Sequence, residues 1–292
     1  MTPGPRVGVV VLDFGGRADA ERAAASARVP DLDVRVLVVE NGATGVAAPS
    51  PDRLRLPENR GFAGGMNAGL ERLLAEGCDR ILLLNSDAVL EPDALRLLSD
   101  ALDDPGLAAV GPLVLRAADG RVESRGASLD LGWGRVHLEG SGQEPDDRTG
   151  RLSADALSGA ALMLSRAAVE RVGLLDEEYF FSFEEMDWCV RARRAGYGLA
   201  VVLAARARHV GSQSIGRASP RRLYYAARNH VRLVEKLEPR RGARHWARRA
   251  VVLGRNLGHA LTQDEAPRLG ACRAVLEGFA DARRGRFGPR ER

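Results

Sequence analysis

Lysine is almost missing from this chain: Lys236 is the single one, and arginine supplies the rest of the 43 basic residues. With the abundance of alanine, that bias reads as genomic base composition and carries no function by itself. Cysteine is scarce too. Cys78, Cys189 and Cys272 are odd in number and stand at unrelated spacings, which excludes a disulfide framework or a zinc site and implies a reducing compartment. No apolar run approaches the roughly 20 residues of a spanning helix. The first apolar run, Val7 to Leu12, is too short for a signal peptide and meets Asp13 directly, so no leader is expected. No internal repeat occurs, and no low-complexity segment beyond an arginine-rich tail. What remains is a 292-residue chain, 45% hydrophobic, long enough for one large α/β domain with appended elements.

The net charge of +4 hides an asymmetry. Residues 217–292 carry 18 arginines and Lys236 against seven acids, whereas residues 1–216 are acidic overall. A basic tail on an acidic body suggests an anionic partner such as phospholipid headgroups or a lipid diphosphate, unless it is only a solvated basic surface. No nucleic-acid partner is expected, because no reading module is recognisable in the tail. A homodimer is left open.

Val7–Leu12, Val34–Val39, Arg53–Leu56 and Arg80–Leu84 read as buried strands separated by helical segments at Arg17–Arg28, Phe62–Glu76 and Pro92–Leu102. That alternation predicts an α/β fold with a mostly parallel, doubly wound sheet. From Val110 to Arg166 the chain is glycine-rich with short strand-like pieces, a hairpin turn at Asp119-Gly120 and a polar loop over Gly140–Gly150. Ser158–Leu164 reads as another buried strand. Three helices, Arg221–Leu237, Arg244–Leu261 and Pro267–Arg283, form a C-terminal helical extension. The expected division is a body over 1–216, with a nucleotide-binding half (1–110) and an acceptor and catalytic half (111–216), followed by the extension over 217–292.

Ligands of open parallel sheets sit at the carboxyl ends of the strands. Asp13, Glu40-Asn41 and Asn85-Ser86-Asp87 all fall there. Oxygen ligands at such a place suit a hard cation, Mg2+ or Mn2+, bridging to phosphate; the plainer alternative is a turn capped by Asn or Asp. Further on, Glu184, Glu185 and Asp187 crowd into one helical turn after an aromatic approach. Crowded, partly buried acids have raised pKa values and suit general-base work. The structural alternative is a capping box from Ser182 to Glu185 and an i,i+4 pair between Asp187 and Arg191. Asn59-Arg60-Gly61-Phe62-Ala63-Gly64-Gly65-Met66-Asn67 opens a helix whose small residues would admit a ligand to the backbone, or serve close packing alone. Its glycine spacing is not a dinucleotide fingerprint. His209 follows a strand and is an unaided metal-ligand candidate of low weight. Trp133 between two glycines reads as a buried loop anchor rather than a sugar platform.

Together these segments resemble the inverting family 2 glycosyltransferases of the GT-A fold, in their rhamnosyltransferase-like branch. The matching pieces are Val38–Gly42, Asn59–Gly69, Leu83–Asp87, Ser158–Ala160, the long block Val172–Tyr197, and Ala207-Arg208-His209 followed by Ser214. The resemblance implies an inverting, metal-dependent transfer of a sugar, first of all rhamnose, from a dTDP- or UDP-sugar to an acceptor hydroxyl. It gives Glu185 the catalytic position, with Glu184 or Asp187 able to share the role. Asp87 and His209 become metal ligands, while Asp13, Glu40, Asn41, Arg60, Asn67, Asn85 and Ser86 become donor contacts. Glu40 and Glu185 each stand where the family has aspartate, and the metal motif keeps one carboxylate and an asparagine. The implied acceptor is a lipid-linked or cell-envelope saccharide, met by a cytoplasmic protein peripheral at the inner face of the plasma membrane through residues 217–292. A soluble natural-product acceptor and a catalytically silent nucleotide-sugar-binding protein are the alternatives. A sugar nucleotidyltransferase is disfavoured, because no Gly-rich Arg-Lys loop follows the first strand.

Overall fold

The computed structural model describes residues 4–43, 50–211, 219–262 and 267–290. The first half runs β1 (Val7–Asp13), α1 (Arg17–Ser26), β2 (Val34–Asn41), β3 (Arg53–Leu56), α2 (Gly61–Ala75), β4 (Arg80–Asn85), β5 (Ala88–Leu90) and α3 (Ala94–Ala101). The second runs β6 (Leu107–Arg116), β7 (Val122–Ser124), β8 (Ala127–Asp130), β9 (Arg135–Leu138), β10 (Arg151–Ser153), β11 (Ala161–Ser165), α4 (Arg166–Val172), α5 (Glu184–Arg194) and β12 (Gly198–His209). Helices α6 (Pro220–Leu237), α7 (Gly242–Leu261) and α8 (Arg268–Arg283) follow.

The main sheet has the order β10-β12-β6-β11-β4-β1-β2-β3. Strands β3, β2, β1 and β4 are parallel, as are β6 and β12; β11 lies antiparallel between β4 and β6. Every residue of β1 is buried, which explains its unbroken apolar run: alternate side chains feed different cores. Val10 and Leu12 join one apolar cluster with α2 and α5, while Val7, Val9 and Val11 join another with α1 and α3. Helices cover both faces, so the sheet is doubly wound and largely parallel, as expected. Leu12 stands beside Asn85 and Asp13 beside Glu40 in the registers. The polar strand ends therefore form one edge.

The hairpin turn falls at Asp119-Gly120, where Gly120 takes φ 73° and its N–H reaches Arg116 O. Strand β5 is unforeseen: three residues are too few to show periodicity, and they become a strand only by pairing with the end of β12. Trp133 is 51% exposed and is not the buried anchor expected of it. The capping box does not form. Phe183, not Ser182, precedes α5, in the left-handed region and without a side-chain cap.

The C-terminal helices share cores with the body. Tyr224 and Tyr225 of α6 pack with Phe180, and Leu233 and Leu237 pack with Tyr179 and Val190 of the catalytic half. Much of the tail's charge is used internally. Arg228 and Arg248 are each 1% exposed, and Arg232 and Arg249 are paired with acids. The expected boundary at 216/217 and Ser214 lie outside the described residues.

Candidate active site

A cleft of ≈ 320 Å3 opens at the carboxyl edge of the sheet. One wall is Asn85-Ser86-Asp87 and His209, the opposite wall Phe181–Met186, and Arg222, Leu223 and His259 from α6 and α7 close one end. The first wall is built by strand pairing. His209 ends β12 opposite Ala88 of β5, and Val210 N–H donates to Asp87 O, so Asp87 and His209 are neighbours although 122 positions apart in sequence. Their side chains meet at 3.2 Å, Nε2 to Oδ1. On the other side of the ring, Nδ1 lies 2.8 Å from Glu123 of β7. Burial alone would lower the His209 pKa, but hydrogen bonds to Asp87 and Glu123 raise it to about 9. One imidazolium between two carboxylates leaves the group with net charge −1. Asn85 Oδ1 beside it is buried without a hydrogen-bond partner.

The opposite wall rests on an unusual backbone. Phe180, Ser182 and Phe183 all have positive φ, at 62°, 73° and 76°. Bulky residues there are strained by of order 1–3 kcal/mol each, so the surroundings must hold them. Asn229 of α6, fully buried, donates from Nδ2 to the carbonyls of Tyr179, Phe181 and Ser182. Arg228 donates to Tyr179 O at 2.9 Å. From the other side, Phe62 N–H at the start of α2 donates to Phe180 O. Gly61 has φ 74° and touches that same carbonyl so closely that a Cβ would collide with it. The loop then delivers Glu184 and Glu185 to the cleft. Glu184 is 3% exposed with Oε2 unpartnered, and burial, then the neighbouring Glu185 carboxylate, drives its pKa well above the usual range. Burial pushes Glu185 up to about 7, against the opposing pull of backbone N–H groups of Glu185, Met186 and Phe183. Gly159 leaves room for its side chain: a Cβ there would stand 3.4 Å from Glu185 Cγ.

Six of the twelve candidate site residues thus line one cleft: Asn85, Ser86, Asp87, Glu184, Glu185 and His209. The other six do not, and each is occupied elsewhere. Asp187, expected to share catalysis, is fully buried and bound to Arg191 at 2.8 Å, Lys236 at 2.7 Å and the Tyr179 hydroxyl at 3.2 Å. Glu40 holds Arg53 and Arg55 at 2.9 and 2.8 Å, which consumes both carboxylate oxygens. Asp13 Oδ1 accepts from the N–H groups of Gly15 and Gly16. Asn41 clips the entry to α2, donating to Gly61 O and accepting from Arg60 N–H. Asn67 clips Leu175 through both its N–H and its C=O, and Arg60 pairs with Glu177 at 3.1 Å. The glycines of this segment serve packing, since Gly65 faces Leu12 and Asn41 and Gly64 faces Arg60. Sequence reasoning missed Glu123, Asn229, Arg222 and His259. Glu123 sits in a three-residue strand with no pattern of its own, and Asn229 reads as one polar residue in a helix.

A model of the family described as "Glycosyltransferase like family 2" matches residues 5–235. The chain is 24% identical over 195 residues to dTDP-rhamnosyl transferase RfbF of Shigella flexneri, covering 62% of each. It is 28% identical over 239 residues to an N-acetylglucosaminyl-diphospho-decaprenol L-rhamnosyltransferase of Mycobacterium tuberculosis, covering 72% of this chain and 77% of that one. Among solved structures, GalNAc-T7 with UDP, GalNAc and Mn2+ superposes with a TM-score of 0.64 at 12% identity over 97% of this chain and 57% of that one. The mannosyltransferase PcManGT of Pyrobaculum calidifontis, with GDP-Man and Mn2+, gives 0.57 at 18% identity over 97% and 84%. These likenesses establish the GT-A type of fold. The match spans less than two thirds of the Shigella relative and of the GalNAc-T7 chain.

Proposed function

We propose, from the premise that this chain belongs to glycosyltransferase family 2, that it moves a sugar from a nucleoside-diphosphate donor to an acceptor hydroxyl with inversion at the anomeric carbon. The observation that carries this reading is that Glu184-Glu185 and Asp87-His209, far apart in sequence, line one cleft. A carboxyl with a pKa of about 7 is half ionised near neutrality, which suits a general base. Glu185 takes the acceptor hydroxyl's proton; the oxygen attacks the anomeric carbon as the bond to the diphosphate breaks, and the electron pair leaves with the diphosphate. Glu184 stays protonated and neutral beside it, so that two buried carboxylates do not oppose one another.

The opposite wall receives the leaving group. A net charge of −1 on Asp87, His209 and Glu123 repels a diphosphate, and the unpartnered Asn85 Oδ1 wants a positive neighbour; both fit a divalent cation that Asp87 would hold, with His209 joining it only as the ion displaces the Nε2 proton. Among the described residues no group of three or more His, Cys, Asp or Glu could hold a metal alone, so the donor diphosphate would complete the ligand set. When bound, Mg2+ or Mn2+ supplies charge neutralisation at the departing diphosphate. The name of the Shigella relative supports a dTDP-rhamnose donor, and that of the mycobacterial relative an acceptor saccharide carried on a lipid diphosphate.

Thermal stabilisation of the purified protein by dTDP, UDP and GDP, each with and without Mn2+, tests the donor half. A ligand at 100 times its Kd adds about 2.7 kcal/mol. A Mn2+-dependent shift with one nucleotide is expected, and no shift with any of them refutes the donor site.

A further inference from the structure

Helix α7 turns several polar side chains inward: Arg248 donates to Glu238 O, Asn256 bonds His230, and Arg249 pairs with Glu235. Val252 and Ala260 are buried with them, and Arg244, Arg255 and His259 are exposed. Between these lies an outward stripe of apolar or small residues. Ala243, Ala247, Ala250, Gly254, Gly258 and Leu261 are all exposed and follow one another at three- and four-residue spacing, which puts them on one stripe. Trp246 beside the stripe is 59% exposed and Leu261 50%. The neighbouring α8, packed against α7, adds Leu269 at 87% and Leu276 at 52%. These are four of the eight large hydrophobic residues exposed among the described residues, gathered on two adjacent helices.

The rim of this surface is positive. Arg244 and Arg255 on α7, and Arg268 and Arg283 on α8, are exposed and form no ion pair among the described residues. Of the acids between 242 and 290, Glu277 pairs with Arg273 and Arg290, and Asp281 with Tyr224 and Arg284; Asp264 and Glu265 lie outside the described residues. An exposed apolar face of this kind marks an interaction site. A symmetric second copy would bring two arginine rims together, whereas an anionic bilayer offers hydrocarbon to the face and phosphate to the rim. No helix among the described residues is long and apolar enough to cross a membrane. His259 of the same helix lines the cleft, so α7 contributes both to the cleft and, on another side, to the apolar stripe.

We propose that the outward face of α7, with Leu269 and Leu276 of α8, lies in the interface of an anionic phospholipid bilayer and sets the cleft at the membrane surface. This differs from the contact by general basicity anticipated for residues 217–292, because the buried arginines take no part and apolar side chains do. The binding does not depend on the transfer chemistry, but its purpose, access to a lipid-linked acceptor, rests on the reading above.

Flotation of the full chain with phosphatidylcholine vesicles, with and without roughly one third phosphatidylglycerol, tests it. Binding to the anionic vesicles is expected, with a blue shift of Trp246 emission that is absent in Trp246→Phe. Arg244→Gln and Arg255→Gln should each weaken binding about fivefold. Trp246→Ser with Leu261→Ser should weaken it at least tenfold while thermal melting stays within about 2 °C, since both side chains are exposed. Absence of binding at low salt overturns the proposal. So does binding that the apolar pair does not alter, which is plain electrostatics, or a dimer in light scattering that the same pair dissolves, which is a self-association surface. Nucleotide-induced stabilisation is unaffected by any of these failures, so the donor-site reading is tested separately.

Discussion

Replacing Glu185 by glutamine should make the protein more stable and less active at once, and the pH at which the two effects appear is set by the structure. Glu185 has its pKa raised from 4.5 to about 7, so the folded state binds the proton more tightly than the unfolded chain. Stability contributed by the protonated group is fully present below pH about 4.5 and is lost as pH rises through about 7. Holding the ionised carboxylate in the fold above that pH costs about 3 kcal/mol. Glutamine keeps the shape and removes the ionisation, so Glu185→Gln should gain on the order of 5 °C in melting temperature at pH 8 and nothing at pH 4.5. Turnover should fall by about 100-fold or more. For the parent protein, kcat/KM should rise with pH through about 7, because the base acts ionised. Melting curves of both proteins across that range, with initial rates, provide the check. A gap in melting temperature that does not grow with pH, or undiminished turnover in the variant, refutes Glu185 as the raised base.

Asn229→Ala strips the donors from three carbonyls of the positive-φ loop and should cost about 2–3 kcal/mol in denaturant unfolding, with turnover lost even in the fraction that stays folded. Asp187→Ala leaves Arg191 and Lys236 facing an empty place and should cost about 3–5 kcal/mol; a variant that melts normally and loses only turnover would return Asp187 to the chemistry. Glu123→Ala removes one of the carboxylates that raise His209, so the imidazole pKa should fall from about 9 when followed by NMR. Because Glu123 orients the ring that faces Asp87, Mn2+-supported nucleotide binding in that variant should weaken about 10- to 100-fold.

The sheet was legible because burial on both faces writes itself into sequence: Val7–Leu12 and Ile81–Leu84 are runs without a polar side chain, ended by polar residues at the edge where the cleft forms. The crowding of Glu184 and Glu185 was legible for the opposite reason, since like charges side by side need a cause. Local pattern could not tell which polar residues face the cleft. Asn41, Asn67 and Asp13 look the same in sequence as Asn85 and Ser86, yet Asn41 and Asn67 are spent on backbone groups that arrive from elsewhere in the chain, and Asp13 on the N–H groups of its own turn. Nor could it show Glu123, whose side chain meets His209 from 86 residues away, or β5, whose strand partner β12 lies about 120 residues away. The arginine-rich tail reads as a charged surface because sequence gives the charge and not its direction; Arg228 and Arg248 point inward and leave an apolar face outside.

Lys236 joins Asp187, in the first turn of α5, to Asp176, in the turn before the strained loop, at 2.7 and 2.8 Å. It is also the chain's single lysine, with a side chain 33% exposed. Amine-directed reagents therefore find one side-chain target, and it is the cation that ties α6 to the site. Acylating it would cancel its charge and leave Asp187 with Arg191 as its one cation, beside the Tyr179 hydroxyl. Preparations tagged or immobilised through amines would lose activity in proportion to labelling at Lys236, while arginine-rich surfaces stay untouched.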